Sequence, residues 1–515
     1  MLPSQLRRYI IFGISSDPFV RHFPCISALG YVMNSSRSLF FLAAGAVIFL
    51  ASCSGAKKTV CTVNCNGGGG DATLTLTLTD TPPSGVTFLN FNLPIASISL
   101  TPSGGGADVA LLSTATNYEM TRLQADSATA GSYQVAAGTY TALNIFVTNS
   151  PSSVWINSSG ATILGCAPGA VCNLSGSAPG KITIDLTKAI GGSGLVLTSN
   201  EKVGVGLDFN LNNAITTTGG IAIDLTQANV FTATTLPRTG QASGTLDTLD
   251  GITGIVTAVS SSSITVKSDF GGTFTASITS STSLADPLSL CPGGAAIASA
   301  CIATNTIVGL DAVVKTDGTL TASVIDLLSL TSGDDLEGVI IPTSDPATFE
   351  LVVSDKSITS TNSTLLGVSS GAAVFLSLGS SISFGVDTKN LPITGPAGFA
   401  GSGDILAGQE VRARISAASL TSGKIDATAS SMLLRYSRIT ATVDHTASNV
   451  LFINTLPAYL GFSTTAQQVQ TFSPQTTLDG INAITDLQAG QSVTARALYL
   501  HNVAPPFLAD KVRKH

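Results

Sequence analysis

Residues 72–80 read ATLTLTLTD, a strict alternation of threonine and leucine. Successive side chains of a β-strand point to opposite faces, so Leu74, Leu76 and Leu78 share one face and the threonines share the other. This pattern predicts a half-buried strand whose leucine face lies in a core. It also favours a β-structure for the chain around it, because a helix requires a longer hydrophobic period.

The same alternation returns further along the chain, with breaks rich in Gly, Asn, Ser and Pro between the segments. It is found in ITIDL (182–186), VGVGLDF (203–209) and IAIDL (221–225). Short strands without an intervening helical period predict an antiparallel β-sandwich over residues 71–243. In ITIDLTKA and IAIDLTQA, we expect Asp185 and Asp224 to lie on exposed strand faces. The abundance of Thr, Ser, Val, Ile and Gly supports an all-β fold.

From residue 244 the chain shows a smaller repeating pattern. Three segments each indicate a strand, a polar turn and a second strand: GITGIVTAVSSSSITVKS (251–268), LEGVIIPTSDPATFELVVSD (336–355) and SRITATVDHTASNVLFINTL (437–456). Each is followed later by a strand, namely VGLDAVVK (308–315), AGQEVRAR (407–414) and AGQSVTAR (489–496). This order predicts three small β-barrel-like repeats at residues 244–332, 333–436 and 437–515.

Short words in the first region resemble those of the bacterial lipoprotein domain-of-unknown-function family 4382. They are LTDTPP (78–83), AGTY (137–140) and LDF (207–209). The resemblance implies a β-sandwich exposed at the cell envelope and brings no established activity or functional residues. An insertion that carries Trp155, Cys166 and Cys172 departs from the family pattern.

The three later repeats resemble the domain-of-unknown-function family 5666, which occurs as repeats in similar exported bacterial proteins. The second repeat departs from it by an insertion near GPAGFAGSGD (395–404). Small closed barrels leave no long unpaired strand edge, which suits a protein outside the cell.

An apolar run near the N-terminus, LFFLAAGAVIFLASCSG (39–55), stops at a cysteine. It is too short to span a bilayer but fits the apolar segment of a secretory signal. We therefore expect a signal peptide at residues 33–52, with Met33 as the initiator and residues 1–32 as an upstream extension.

The four residues Leu50-Ala51-Ser52-Cys53 resemble the lipobox of bacterial lipoproteins, in which the cysteine carries the lipid. Two or three acyl chains would anchor Cys53 firmly to a membrane. A buried cysteine ending an ordinary core helix is the alternative. By resemblance to the sorting rule of Gram-negative lipoproteins, Ser54 in place of Asp favours the outer membrane. Residues 53–70, with glycines at 67–70, are expected to form a flexible tether.

Six further cysteines fall into three close pairs: Cys61/Cys65, Cys166/Cys172 and Cys291/Cys301. Local disulfides are the favoured interpretation for an exported protein. Metal ligation and free thiols are the alternatives, although these spacings fit a zinc site poorly. We predict no metal and no cofactor.

Composition and motifs restrict the chemistry. The net charge is −7 and charged residues make up 11% of the chain, so a basic surface for nucleic acid is not expected. Gly367 to Gly371 match G-x-S-x-G around Ser369, but the sequence that follows indicates a strand where a nucleophile elbow needs a helix. A calcium site at Asp80, Asp208 or Asp334–Asp335 is conceivable, with turn-capping or solvated carboxylates as the favoured alternative.

These observations predict a non-enzymatic, lipid-anchored envelope protein with a structural role or a recognition role toward a protein or a glycan. Trp155, Tyr459 and Phe462 are the candidate contact residues, as aromatics expected in exposed loops; local packing is the alternative for each. The rival hypothesis is a secreted glycoside hydrolase, because two carboxylates suffice for that chemistry.

Overall fold

The computed structural model describes residues 70–216, 220–268, 272–292, 301–331, 333–343, 345, 347–389, 391–393, 398–421, 423–462 and 465–515. Strands make up 56% of the structure and helices 6%, which confirms the all-β fold class. Within the described ranges, no helix is long and apolar enough to cross a membrane.

The N-terminal region contains fifteen strands, two single-turn α-helices and one 3₁₀ turn, η1 (Thr121–Gln124). The strands are β1 (Ala72–Thr81), β2 (Thr87–Ile95), β3 (Ser97–Pro102), β4 (Val109–Ala110), β5 (Thr116–Glu119), β6 (Ala128–Val135), β7 (Gly138–Val147), β8 (Ser152–Ile156), β9 (Val171–Ser175), β10 (Gly180–Asp185), β11 (Leu195–Leu197), β12 (Lys202–Asn210), β13 (Ile215–Thr216), β14 (Ala222–Ile223) and β15 (Phe231–Leu236). The helices are α1 (Leu186–Ala189) and α2 (Leu211–Ala214).

These strands form three main sheets around one hydrophobic core, where two sheets were expected. The sheet orders are β15-β12-β1-β6, β10-β7-β3-β4 with β11 beside β7, and β5-β2-β8-β9; β13 and β14 form a separate pair. The third sheet arises because β2 and β3 are nearly continuous in sequence but belong to different sheets, so the chain changes sheet at Ala96. The pairing is antiparallel except between β1 and β12, which run parallel.

Strand β1 is buried on both faces, so the prediction of a half-buried strand is wrong. Leu74, Leu76 and Leu78 lie in the core as expected, but Thr75 and Thr77 are also fully buried. The Thr77 hydroxyl donates to Asp247 Oδ2 at 2.7 Å, and Asp247 belongs to the first barrel. The threonine face is therefore covered by a neighbouring part of the chain that the local alternation could not reveal.

The aspartates of the near-copies ITIDLTKA and IAIDLTQA lie where each strand turns: Asp185 is the last residue of β10 and its carboxylate is exposed, as expected, whereas Asp224 follows the end of β14. Asp185 caps α1, since its Oδ1 accepts from the amide of Thr187 at 3.0 Å. Asp224 accepts from the amide of Thr226 at 2.9 Å in the same way. Aspartate followed two residues later by threonine is thus a turn signature in both segments.

The rest of the chain forms three barrels. Barrel 1 contains β16 (Thr245–Val259), β17 (Ser263–Ser268), β18 (Gly272–Ser277), β19 (Ser283–Ala285), β20 (Ile307–Lys315) and β21 (Leu320–Ser329). Barrel 2 contains β22 (Asp334–Pro342), β23 (Thr348–Ser357), β24 (Ala373–Val386), β25 (Glu410–Thr421) and β26 (Lys424–Leu434), with 3₁₀ turns η2 (Thr364–Gly367) and η3 (Ser402–Asp404). Barrel 3 contains β27 (Ser437–Ala447), β28 (Val450–Asn454), β29 (Gln467–Thr471), β30 (Thr477–Asp479), β31 (Ser492–Tyr499) and β32 (Phe507–Lys514), with η4 (Ala458–Leu460) and η5 (Ile484–Asp486).

All three barrels close through the same strand pairing. In barrel 2 the order is β22-β23-β24-β26-β25, with β25 returning to β22. Barrels 1 and 3 close likewise through the parallel pairs β18–β21 and β29–β32, and each carries one extra strand beside its last. A five-stranded barrel whose third and fifth strands pair in parallel has the topology of the OB-fold. The predicted barrel-like repeats are confirmed.

Apolar seams join these units. Leu89, Val154 and Ile156 of the N-terminal region form one cluster with Ile341 and Val352 of barrel 2. Ile307 and Leu328 of barrel 1 meet Leu433 of barrel 2. The core of barrel 2 also takes in Leu498, Leu500 and Leu508 from barrel 3. The described residues, which begin at Gly70, belong to one compact unit.

Two of the predicted disulfides are confirmed. Cys166 and Cys172 are bonded, as are Cys291 and Cys301. Cys61, Cys65 and the predicted lipidation site Cys53 lie outside the described residues.

In barrels 1 and 2 the first strand approaches the second very closely at one position. Gly254, Gly338 and Ala441 are equivalent, because each pairs with the corresponding valine of the fourth strand, Val308, Val411 and Val493. A Cβ on Gly338 would lie 2.1 Å from the carbonyl oxygen of Val352, and one on Gly254 would lie 2.4 Å from that of Lys267. Barrels 1 and 2 therefore require glycine here for space.

We expect Gly338→Ala to lower the free energy of unfolding by about 1–3 kcal/mol, because the added methyl group meets backbone that cannot rotate away. Urea unfolding followed by circular dichroism measures the change. Gly104→Ala is the control, since a Cβ there meets nothing within 4 Å. Equal stabilities of the two variants would contradict the steric argument.

Candidate functional site

The four sheet-built units meet at a set of buried ion pairs, which we call the charged junction. It contains three groups: one around Arg496, one around Glu337 and one around Asp479. Most of its side chains are less than one-tenth exposed. Apart from Asp335, these residues were not singled out by sequence analysis.

Arg496 of β31 reaches carboxylates from three units. Its guanidinium lies 2.9 Å from Asp510 within barrel 3, 3.5 Å from Asp126 of the N-terminal region, and 3.7 and 3.8 Å from Asp250 and Asp311 of barrel 1. The fourth unit is reached through Tyr436, on the connection out of barrel 2, whose ring centroid lies 5.0 Å from the Arg496 Cζ. One side chain thus contacts every unit.

Glu337 of β22 forms the centre of the second group. Its carboxylate accepts from Thr253 of barrel 1 at 2.9 Å and lies 3.5 Å from Arg122 of the N-terminal region. Arg412 and Arg435 approach it at 3.6 and 3.8 Å. This group also holds Asp335, which pairs with Arg412 and Arg414. The expectation that Asp334–Asp335 are solvated is therefore wrong for Asp335.

The third group joins barrel 3 to the N-terminal region. Asp479 of β30 receives Arg513 at 2.8 Å and Arg238 at 3.1 Å. Arg238 also binds Asp247 at 2.8 Å, the same carboxylate that accepts the Thr77 hydroxyl. Arg513 further donates to the main-chain oxygens of Leu123 and Asp126. Barrel 3 is thereby attached to the segment that follows η1.

Burial raises the pKa values of the junction's acidic groups, whereas pairing with arginine lowers them. Burial alone would raise the pKa of Asp126 and of Glu337, but the neighbouring arginines outweigh it and lower both to about 2. Burial prevails at Asp355 and Asp510, whose pKa values rise to about 7. It also raises the pKa of Asp326 well above the usual range. The junction therefore combines firmly ionised carboxylates with carboxyl groups that hold their proton in weak acid.

A groove of about 890 Å³ lies at the surface between the N-terminal region and barrel 1. One wall comes from β5 and β6, and the other comes from β18 and the turn between β20 and β21. Its volume is in the range of ligand-binding clefts. Gly318 fixes the narrow end, where the position of a Cβ would lie 1.7 Å from the Ser132 hydroxyl oxygen.

The groove shares Thr116, Asn117, Tyr118, Thr129 and Phe274 with an inner cavity of about 150 Å³. The inner cavity ends at junction residues, among them Arg122, Asp126 and Asp355. From solvent to interior, the groove is therefore lined first by hydroxyl groups, the boundary with the inner cavity by the rings of Tyr118 and Phe274, and the end of the inner cavity by residues of the charged junction.

Two of the carboxyl groups that line the inner cavity, Glu119 and Asp355, are held by backbone donors. Glu119 Oε1 accepts from the amide of Phe91 at 2.9 Å and from the Thr121 hydroxyl at 2.7 Å, and Oε2 accepts from the amide of Arg122 at 3.0 Å. Burial raises the pKa of Glu119. Asp355 Oδ1 accepts from the amide of Lys356 at 2.8 Å. Both carboxyl groups are thus fixed by local backbone.

The three candidate aromatics do not lie together in one site. Trp155 is 3% exposed and belongs to strand β8 opposite Cys172, so its prediction as an exposed loop residue is wrong. Phe462 is half-buried and packs against Tyr499 and Phe507, with ring centroids 5.6 and 5.4 Å apart. Tyr459 is half-buried in η4 and touches the apolar seam to barrel 2. The aromatic rings that do line the groove are Tyr118 and Phe274.

The structure also places the G-x-S-x-G segment and the candidate calcium ligand Asp80. The G-x-S-x-G segment follows η2 and leads into strand β24, and its Ser370 hydroxyl accepts from Asn90 at 2.7 Å, so the loop docks on the N-terminal region. Asp80 is fully buried, and burial followed by the nearby Asp208 raises its pKa. In the part of the chain that the structure describes, no three His, Cys, Asp or Glu side chains are grouped to hold a metal ion.

The comparisons with known proteins concern the N-terminal region and the fold. The family described as Domain of unknown function (DUF4382) matches residues 71–226. No curated protein matches the chain. A solved Drosophila structure described as Unr CSD456 aligns with 52% of this chain and 97% of its own, at 9% identity and a TM-score of 0.12. A score that low supports no argument about this chain, and the barrel topology rests on the strand pairing alone.

We expect Arg496→Met to lower the free energy of unfolding by about 3–5 kcal/mol, because it leaves several buried carboxylates without their shared partner. Chemical denaturation provides the measurement. Lys188→Met is the matched control: its partner Asp185 is an exposed carboxylate, and no measurable change is expected. A similar small effect at both positions would show that the junction does not constrain the fold.

The raised pKa of Asp510 predicts a pH-dependent stability. Its carboxyl group keeps a proton in the folded chain up to about pH 7, whereas in the unfolded chain it loses that proton near pH 3.8. The folded state therefore binds more protons in this window, and its stability falls as the pH rises through it. Asp510→Asn removes this contribution, so urea unfolding across the window should show a shallower decline than in the unmodified chain. An unchanged slope would contradict the assignment.

Proposed function

We propose that the chain is an exported bacterial envelope protein, anchored by a lipid on Cys53, with a recognition or structural role and no catalytic one. The observation that carries the proposal is the sequence Leu50-Ala51-Ser52-Cys53 at the end of a short apolar run. The Cys166–Cys172 and Cys291–Cys301 disulfides support export, because such bonds persist in oxidising compartments. The outer membrane is the proposed location.

The architecture supports recognition as the role of the exported part. Buried ion pairs and apolar seams connect four units, so the groove between the N-terminal region and barrel 1 has walls supported by packed sheets. A preformed cleft avoids the cost of ordering its walls on binding. A glycan or a protein segment of the envelope is the proposed partner, and nucleic acid is not.

The proposal leaves catalysis out because the described carboxyl groups in and next to the groove are held by protein donors. Asp317 in the groove accepts from the amide and the hydroxyl of Thr319, and Glu119 and Asp355 in the inner cavity accept hydrogen bonds from backbone amides. Ser369 lies on a docking loop instead of a strand-to-helix elbow. We further propose that the three barrels are repeats of the family 5666 type.

Substituting Cys53 tests the anchor. We expect Cys53→Ala to abolish incorporation of an alkyne-labelled fatty acid and to reduce the share of the protein that sediments with envelopes, because the thiol is the only acylation site proposed. Cys25→Ala is the matched control and should incorporate label normally, since residues 1–32 are proposed to be absent from the product. Undiminished labelling of the Cys53 variant would refute the lipid anchor.

A further inference from the structure

We propose that the groove between the N-terminal region and barrel 1 binds a neutral oligosaccharide. This inference deepens the proposed recognition role by naming a ligand class and a site. It rests on the side chains that line the groove, which sequence analysis did not identify.

The lining is rich in hydroxyl and amide groups. Those on the wall of the N-terminal region are Thr116, Asn117, Thr129 and Ser132; those on barrel 1 are Ser263, Thr273, Thr275, Ser277 and Thr319. Each hydroxyl group can both donate and accept, which matches the hydroxyl groups of a sugar. Within the described part of the chain, Thr273 and Ser277 form no side-chain hydrogen bond, and both are exposed.

The charge of the lining excludes several other ligand classes. Among the described lining residues the only ionisable side chain besides Tyr118 is Asp317, and its Oδ1 is occupied by the Thr319 amide and hydroxyl at 3.1 and 2.6 Å. A phosphate backbone or an acidic polysaccharide requires lysine or arginine, which this part of the lining lacks. A lipid chain would leave the hydroxyl groups without partners. A neutral polyhydroxyl chain satisfies both requirements.

The half-buried ring of Phe274 provides the apolar complement, and Tyr118 on the opposite wall is itself buried at 8% exposure. Phe274 and Tyr118 stand on opposite walls where the groove meets the inner cavity. Phe274 is half-buried and packs against the core of barrel 1, so its ring is held in place. Flat aromatic faces bury the C–H faces of a sugar ring at little cost in side-chain entropy. A polar rim around fixed rings is the usual anatomy of a specific site.

The position of the groove on barrel 1 agrees with this ligand class. It lies on the third strand, β18, and on the turn between the fourth and fifth strands, β20 and β21. Other OB-folds use the corresponding surface for oligonucleotides or oligosaccharides. That likeness of fold assigns nothing by itself. The uncharged lining selects the sugar over the nucleic acid.

The test is isothermal titration of the full-length chain, purified in detergent, with cellohexaose, maltohexaose and chitohexaose. Saturable binding of at least one of them is expected. Thr273→Arg should weaken it at least tenfold, because a long charged side chain then occupies the groove. Thr257→Arg is the matched control, since Thr257 is also an exposed strand threonine of barrel 1 but lies outside the groove, and it should bind as the unmodified chain does.

A second variant distinguishes the contribution of the Phe274 ring to sugar binding from its contribution to the stability of the fold. Phe274→Leu keeps an apolar side chain toward the core of barrel 1 and should weaken binding about tenfold while the thermal midpoint changes little. The proposal is overturned if none of the three sugars binds, if Thr273→Arg binds as tightly as Thr257→Arg, or if oligothymidylate or oligogalacturonate binds and Thr273→Arg does not weaken that binding.

This test is independent of the anchor. Sugar binding by a chain whose Cys53 proves not to be acylated would keep the groove assignment and reject the proposed attachment. Absence of sugar binding by a chain with normal acylation would keep the proposed attachment and reject the groove assignment. Release of new reducing ends from a bound sugar would keep the ligand and contradict the non-catalytic role.

Discussion

The structure depends on the burial of Arg496 among carboxylates that come from separate parts of the chain. Removing charges from water costs several kcal/mol per ion, and their mutual attraction offsets this only when the geometry is good. Asp510 lies 2.9 Å from the Arg496 guanidinium, and Asp126, Asp250 and Asp311 lie 3.5 to 3.8 Å from it, so the units pack in an arrangement that encloses all four carboxylates around one cation. The apolar seams contribute the hydrophobic stabilisation between the units, and the ion pairs favour one relative arrangement of those units.

Equivalent positions of the barrels have diverged so that they complement one another. The fourth strands of the barrels carry a charged residue at the same position, namely Asp311, Arg414 and Arg496. Each of these residues directly follows the residue that pairs with the equivalent apolar residue of the first strand, which is Ile252, Leu336 or Ile439. Asp311 and Arg496 nevertheless carry opposite charges and approach to 3.8 Å. Repeats of a single sequence could not pair in this way. The divergence turns three similar barrels into one asymmetric assembly, and the groove exists because that assembly fixes barrel 1 against β5 and β6.

Local patterns predicted the strands well, because the alternation of Leu74, Leu76 and Leu78 reports directly on a strand with one face in a core. The shared pattern of the three repeats likewise predicted barrels. What sits on the other face of a strand is a long-range property: Thr77 is buried because Asp247, far along the chain, covers it. Trp155 was misplaced because it lies in the interior strand β8, between β2 and β9, where the sequence indicated a loop.

The charged junction left a signal in the sequence that was not used. In EVRAR (410–414) charged residues alternate with apolar ones, and ADKVRK (509–514) carries four charged residues in six, inside strands of a chain that has few charges. A charge at an alternating position is usually solvated, and only the arrangement of neighbouring units shows that these are enclosed. The groove had a weaker signal still, because threonine and serine are common everywhere in this chain and their grouping depends on how two units meet.

The last strand, β32, has a consequence for how the chain matures. Lys511 and Arg513 bind Asp250 and Asp479, and the same strand closes barrel 3 against β29. Asp250 of barrel 1 therefore cannot pair with Lys511 until β32 has been synthesised, so barrel 3 and its link to barrel 1 are completed last. Loss of β32 would open barrel 3, whereas the apolar seams that join the N-terminal region and barrel 1 to barrel 2 would remain.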